Sequence, residues 1–280
     1  MALEPAYLIA LATELEKEGQ YNGARLLRAA ATSVVLRAAE GVPVDGDPMA
    51  QAREIEEIAE AVGESAAGSL AGPLLATAAA LRAGAVPLYA DAPDPHVCRI
   101  CGFVQLEPFA DRCDHCGRWP DTAERHRPIY WLRESTPPEA LTLLAETPRV
   151  IAGLLDGAVT DQPGPDGGWS AHQTLEHLHN AQSIFRGRID QLLAGGDPEL
   201  ASVMVWKMEV EAVTTAELLE SYRTLRQEIV DVLRAAPAAA WWNTGRHEEF
   251  GRVTLAEQAS YFANHEPTHL AQLADAARAR

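Results

Sequence analysis

Basic charge is scarce in this chain. Lys and Arg total 23 against 40 Asp and Glu, for a net charge of −17 over 280 residues. A strongly acidic surface repels phosphate backbones, so nucleic acid is not expected as a partner. Anionic membrane surfaces are disfavoured for the same reason. A basic leader is missing too: the N-terminus "MALEPAYLIALATELEKEGQ" has no cationic start, and glutamates interrupt its apolar stretch, so no signal peptide is expected. Long apolar runs are absent. The most apolar segment, "AAGSLAGPLLATAAAL" at 66–81, is broken by Gly and Pro. It is shorter than the ~20 residues a membrane span needs and reads as a buried helix. A cytoplasmic chain is therefore expected. There the four cysteines stay reduced, which favours metal ligation over disulfides.

Length and the 47% apolar content allow about two domains with a sizeable core. Residues 4–85 read as all-helical. Leu8, Leu11 and Leu15 fall at helical spacing, as do Ile55, Ile58 and Val62. "YNGARLLRAAATSVVLRAAEG" is a second helix closed by Gly41, and Leu70, Leu74, Leu75, Ala78 and Leu81 suggest a fourth. Pro-rich linkers are expected over 85–97 and about 120–136. The last 145 residues hold four helix-sized segments. Thr136-Pro137 is a helix start, and three capping boxes open periodic segments: Ser170…Gln173, Thr214…Glu217 and Thr254…Glu257. The connection over about 194–213 is long and includes "VMVWKMEV", a strand-like or extra helical piece. The class is mainly α: an N-terminal helical domain (1–88), a small four-cysteine metal knuckle (96–120) and a four-helix bundle with a long crossover (131–280).

"CRICG" and "CDHCG" place Cys98, Cys101, Cys113 and Cys116 as C-x2-C-x11-C-x2-C. Two such loops can aim four thiolates at one tetrahedral Zn or Fe. The segment resembles the rubredoxin-like domain of rubrerythrins over about 30 residues, with Phe103 after the first Gly. Family members commonly carry Pro after the third cysteine, where this chain has Asp114. Structural zinc and redox iron both remain open. His115, inside the knuckle, is expected to be exposed rather than a ligand.

"NHEPTHLAQL" at 264–273 contains H-E-x-x-H, the zinc-protease pattern. At about 100° per residue, His265 and His269 share one helix face with Leu255, Phe262, Leu273 and Ala276, the inward face. Protease chemistry is disfavoured. Only eleven residues follow His269, none of them His or Glu, and Pro267 sits inside the motif, where it should kink the helix. A third ligand is expected from another helix. In "WSAHQTLEHLHNAQSIF", His177 flanks the apolar face, whereas His179 lies on the polar side and His172 in the first turn. Glu176…His179 and Glu266…His269 also spell the pairs of a di-iron bundle. That reading is disfavoured because Glu176 and His179 point to the polar face and the N-terminal helices contain no histidine.

Trp169-Ser170, His177 and the terminal His265, His269 and Gln272 together resemble the DinB/YfiT-like superfamily, over about 131–280. The resemblance implies a four-helix bundle in which His177, His265 and His269 hold one divalent metal (Zn, Ni or Fe). Characterised relatives include thiol S-transferases and an isomerase that use low-molecular-weight thiols. The expected activity is thus metal-dependent transfer or hydrolysis on a small thiol or other small substrate, with a homodimer conceivable. An open fourth position would let the ion acidify a bound water or thiol. Glu266 is either a general base or, preferably, a group that orients a ligand. A metal-stabilised binding or sensor module and a rubrerythrin-like redox protein stand as alternatives.

Overall fold

The computed structural model describes the chain except residues 1–3, 109, 129–130, 132, 165–166, 204, 206–212 and 279–280. Most of "VMVWKMEV" lies outside the described residues. Two compact units emerge: Met1–Val86 with Pro95–Arg125, and Pro87–Asp94 with His126–Arg280.

The first unit contains two helical hairpins and the cysteine knuckle. Helices α1 (Pro5–Lys17) and α2 (Tyr21–Ala39) pack together, as do α3 (Pro48–Gly63) and α4 (Ala71–Arg82). Gly41 adopts φ 78°, the left-handed conformation of a residue just past a helix end. Small side chains make the hairpin contacts: Ala12, Ala24 and Ala31 in the first pair, and Ala50, Ala52, Ala59 and Ala78 in the second. Leu8 joins them. Of the other residues at helical spacing, Leu15, Ile55, Val62, Leu70, Leu74 and Leu81 are half-buried, while Leu11, Ile58 and Leu75 are exposed. Alanine faces let backbones approach closely, and most of the larger residues beside them are only partly covered. Arg28 forks onto the Glu16 carboxylate across the first hairpin, and Arg82 pairs with Glu56 across the second.

The knuckle is a small antiparallel sheet of β1 (His96–Cys98), β2 (Val104–Gln105) and β3 (Ala123–Arg125), with β1 in the centre. Val104 N–H donates to Ala66 O at 3.0 Å and the Ser69 hydroxyl donates to Val104 O at 2.8 Å, tying the sheet to the loop before α4.

The second unit is the bundle: α5 (Pro137–Leu155), α6 (Ala171–Ala194), α7 (Thr215–Ala235) and α8 (Leu255–Arg278). Helices α5 and α6 each pack on both α7 and α8. All three expected capping boxes form, and Thr136 with Glu139 makes a fourth at the start of α5. Each one satisfies backbone donors that a helix start would otherwise leave open. Helix α8 continues through Pro267. Its expected inward residues Leu255, Phe262, Leu273 and Ala276 are buried. A second sheet of β4 (Glu199–Leu200), β5 (Thr244–His247) and β6 (Gly251–Thr254), in that order, closes the unit. The linker expected near 85–97 contributes to this unit as well: Tyr89 N–H donates to Glu248 O at 2.7 Å. Among the described residues no helix is long and apolar enough to cross a membrane.

Candidate metal centres

His177 on α6 meets His265 and His269 on α8. The one-turn spacing of the α8 pair and the inward phase of His177 bring three Nε2 atoms together. His177 Nε2 lies 3.3 Å from His265 Nε2, which lies 3.2 Å from His269 Nε2. Nitrogens held about 2.0–2.1 Å from a tetrahedral ion are about 3.3–3.4 Å apart. The three imidazoles thus already have the spacing of ligands on one ion, and all their candidate ligand atoms fall within 4.8 Å of one another.

Protonation and orientation agree with this. Burial, reinforced by the neighbouring His269, brings His177 down to about 4. Burial, with His269 and His177 adding to it, brings His265 down to about 3. Both rings are therefore neutral near pH 7, the state that ligates a metal. His269 Nδ1 is 3.0 Å from Gln272 Oε1. An amide oxygen only accepts, so Nδ1 carries the proton and Nε2 keeps its lone pair for an ion. The Trp169 ring stands 5.1 Å from His177 and flanks it. His265 is buried while His177 and His269 are half-buried.

The other candidates fall elsewhere. His179 was expected on a solvated face but is half-buried, because α7 covers that side of α6; its Nε2 is 2.9 Å from Ser221 Oγ. His172 Nδ1 is 2.8 Å from Thr215 Oγ1. Neither joins the cluster. The Glu266 carboxylate is engaged by α7: Arg226 takes both oxygens and the Tyr222 hydroxyl donates to Oε1 at 3.0 Å. A carboxylate held in a buried ion pair is not placed to act as a base at the imidazoles. Arg226 also donates to Leu144 O at 3.1 Å, so one guanidinium joins α5, α7 and α8. The sequence offered a signal for this group that periodicity arguments passed over: an arginine at a core position of α7, in step with Leu218, Tyr222 and Leu233.

The four cysteines converge likewise, all four sulfurs lying within 4.8 Å. Each C-x2-C turn is built the same way. Gly102 N–H donates to Cys98 O and Gly117 N–H to Cys113 O, both at 2.8 Å. Both glycines sit at positive φ, 75° and 70°, which side-chain-bearing residues rarely adopt. The Cys98–Cys116 and Cys101–Cys113 sulfur separations are 3.7 and 3.8 Å. Thiolates about 2.3 Å from a tetrahedral ion stand about 3.8 Å apart, so this set fits as well. Burial pushes the Cys98 thiol up, but backbone N–H groups of Cys101 and Ile100 and the Thr122 hydroxyl outweigh it and bring it down to about 6. Burial pushes Cys101 up to about 12. His115 is exposed and stacks on Phe103 at 5.8 Å, outside the cluster.

No curated protein matches the chain. Among solved structures, YfiT from Bacillus subtilis, described as a probable metal-dependent hydrolase with an unusual four-helix bundle topology, is 20% identical with a TM-score of 0.47; the match covers 55% of this chain and 92% of that one. Residues 140–273, which include all three clustered histidines, match the DinB superfamily.

Proposed function

We propose that the bundle is a metal-dependent enzyme acting on a small molecule, with His177, His265 and His269 holding one divalent ion. A single observation carries this reading: three imidazoles from two helices present Nε2 atoms 3.2 and 3.3 Å apart. A bound divalent ion would supply Lewis acidity at a position left open to small ligands. The protein's own contribution is positional. His269 is held in one tautomer by Gln272, and Trp169 screens one side of His177. Thiol transfer and hydrolysis are the two reactions such a centre suits, and a low-molecular-weight thiol is the proposed co-substrate. The knuckle holds a separate zinc or iron ion. Its redox alternative is read from colour, because iron on four thiolates absorbs visible light and zinc does not.

The test is a comparison of metal-loaded wild type and His269→Ala. Thiol conjugation is followed with monobromobimane and cysteine, and hydrolysis with p-nitrophenyl acetate. A metal-dependent rate lost in His269→Ala supports the enzyme reading. Tight stoichiometric metal with no rate above the metal-free protein in either assay favours the non-enzymatic module.

A further inference from the structure

The far side of Tyr261 holds a second polar cluster that the histidine centre does not use. Arg188 on α6 is buried at 8% exposure. It donates to Gln258 Oε1 at 3.3 Å and to Ala201 O at 2.8 Å. Among the described residues no carboxylate lies within ion-pairing distance of it. Glu249 is near enough for its charge to be felt, but its carboxylate accepts from the Ser202 hydroxyl at 3.0 Å, and burial raises its pKa. A buried cation without a paired anion is costly, and such groups are normally paired.

Three further buried groups there are donors in want of an acceptor. Gln258 spends its oxygen on Arg188, and its fully buried Nε2 has no partner. His247 is 3% exposed, and its Nδ1 accepts from the backbone N–H of Glu249 at 3.0 Å. That contact fixes the proton on Nε2, which is buried and unpartnered. Burial, with the Arg188 charge beside it, brings His247 down to about 3, so the ring is neutral. Trp131 Nε1 is likewise buried without a partner. Aromatic rings adjoin two of them: Phe250 stacks on His247 at 4.4 Å, and Trp131 lies 5.5 Å from Phe250 and 5.2 Å from Tyr261. Buried polar atoms in native proteins are satisfied in all but a few cases.

We infer that this cluster is a binding site for the carboxylate of a small aromatic or unsaturated organic acid, with Arg188 as the charge partner, His247 and Gln258 as further donors, and Trp131, Phe250 and Tyr261 as apolar walls. All the unpartnered groups donate, so the ligand must accept. Arg127, which lies over the Trp131 ring at 4.8 Å, already has Glu134 and Glu257 as partners, so it is Arg188 that asks for an anion, and the walls ask for a flat apolar body. This inference does not depend on a metal at the histidines, although the Tyr261 ring also lies parallel to His265 at 6.1 Å.

Benzoate is the probe, and calorimetric titration of the full chain is the measurement, with and without chelator. Wild type should bind benzoate in the millimolar range or tighter, and neutral benzamide at least about tenfold more weakly, since a charge-assisted hydrogen bond is at stake. Arg188→Met should weaken benzoate by a similar factor. Gln258→Glu supplies a carboxylate to Arg188 from within and should displace benzoate while keeping wild-type circular dichroism, which keeps the test valid if Arg188→Met fails to fold. No benzoate binding by folded wild type, equal affinity for benzamide, or unchanged affinity in Gln258→Glu would each overturn the inference.

Discussion

Arg226 and Glu266 form an ion pair in the centre of the bundle, each 2% exposed, one residue away from His265. The carboxylate that completes the H-E-x-x-H pattern is thereby drawn to α7 rather than to the imidazoles. Burial raises the Tyr222 hydroxyl pKa, and Tyr222 remains a neutral donor to the same carboxylate. A guanidinium, a phenol and a backbone carbonyl thus lock the helix that bears two of the three histidines.

This pair predicts a stability effect. Glu266→Gln leaves a buried guanidinium without its anion and should cost about 3–5 kcal/mol in urea unfolding, whereas the double change Arg226→Met with Glu266→Gln should recover much of the loss. Metal content at the histidines should survive in whatever fraction folds. The same geometry predicts no peptidase activity on casein in wild type. A casein-cleaving wild type silenced by Glu266→Gln would make Glu266 a base after all.

The two centres should be separable. Changing Cys98 and Cys116 to Ser removes two of four thiolates and should abolish one metal equivalent by elemental analysis, leaving the histidine equivalent bound. Loss of both equivalents together would contradict independent sites.

Acid should destabilise the metal-free protein in a defined window. His177 and His265 ionise near 4 and 3 when folded, against an ordinary 6.5. Between those values the unfolded chain binds protons that the folded chain does not. The stabilisation is therefore complete above pH 6.5 and is lost as pH falls towards 4 and then 3. Thermal melts of chelated protein from pH 7.5 to 4 should show the fall, and His265→Gln should flatten it. Identical pH profiles for the two proteins would remove the burial argument.

Much of this was legible in the sequence because helical phase is a strong signal. An i, i+4 histidine pair among apolar residues has to face inward, and the three capping boxes marked where the bundle helices begin. The cysteine spacing spoke for itself. Three things were not legible. Strands of two to four residues, as in β4, β5 and β6, are too short for alternation to register. In the N-terminal hairpins alanines supply most of the fully buried contacts; of the leucines and isoleucines at helical spacing Leu8 is buried and Leu15 and Ile55 half-buried, but Leu11 and Ile58 are exposed. His179 lies off the apolar face as expected, yet α7 half-covers it, and only tertiary packing could reveal that. The buried arginines 188 and 226 were open to inspection as charges at apolar positions, a signal that points to function or pairing more often than to error.

The central claim is that His177, and not His179, completes the metal site. The direct measurement is competition titration of one divalent ion against a chromophoric chelator, using wild type, His177→Ala and His179→Ala with the knuckle cysteines already changed to Ser. His177→Ala should bind at least about tenfold more weakly, since even indirect losses around a metal reach that size. His179→Ala should keep wild-type affinity, because its ring faces Ser221. Metal lost in His179→Ala and retained in His177→Ala would contradict the account.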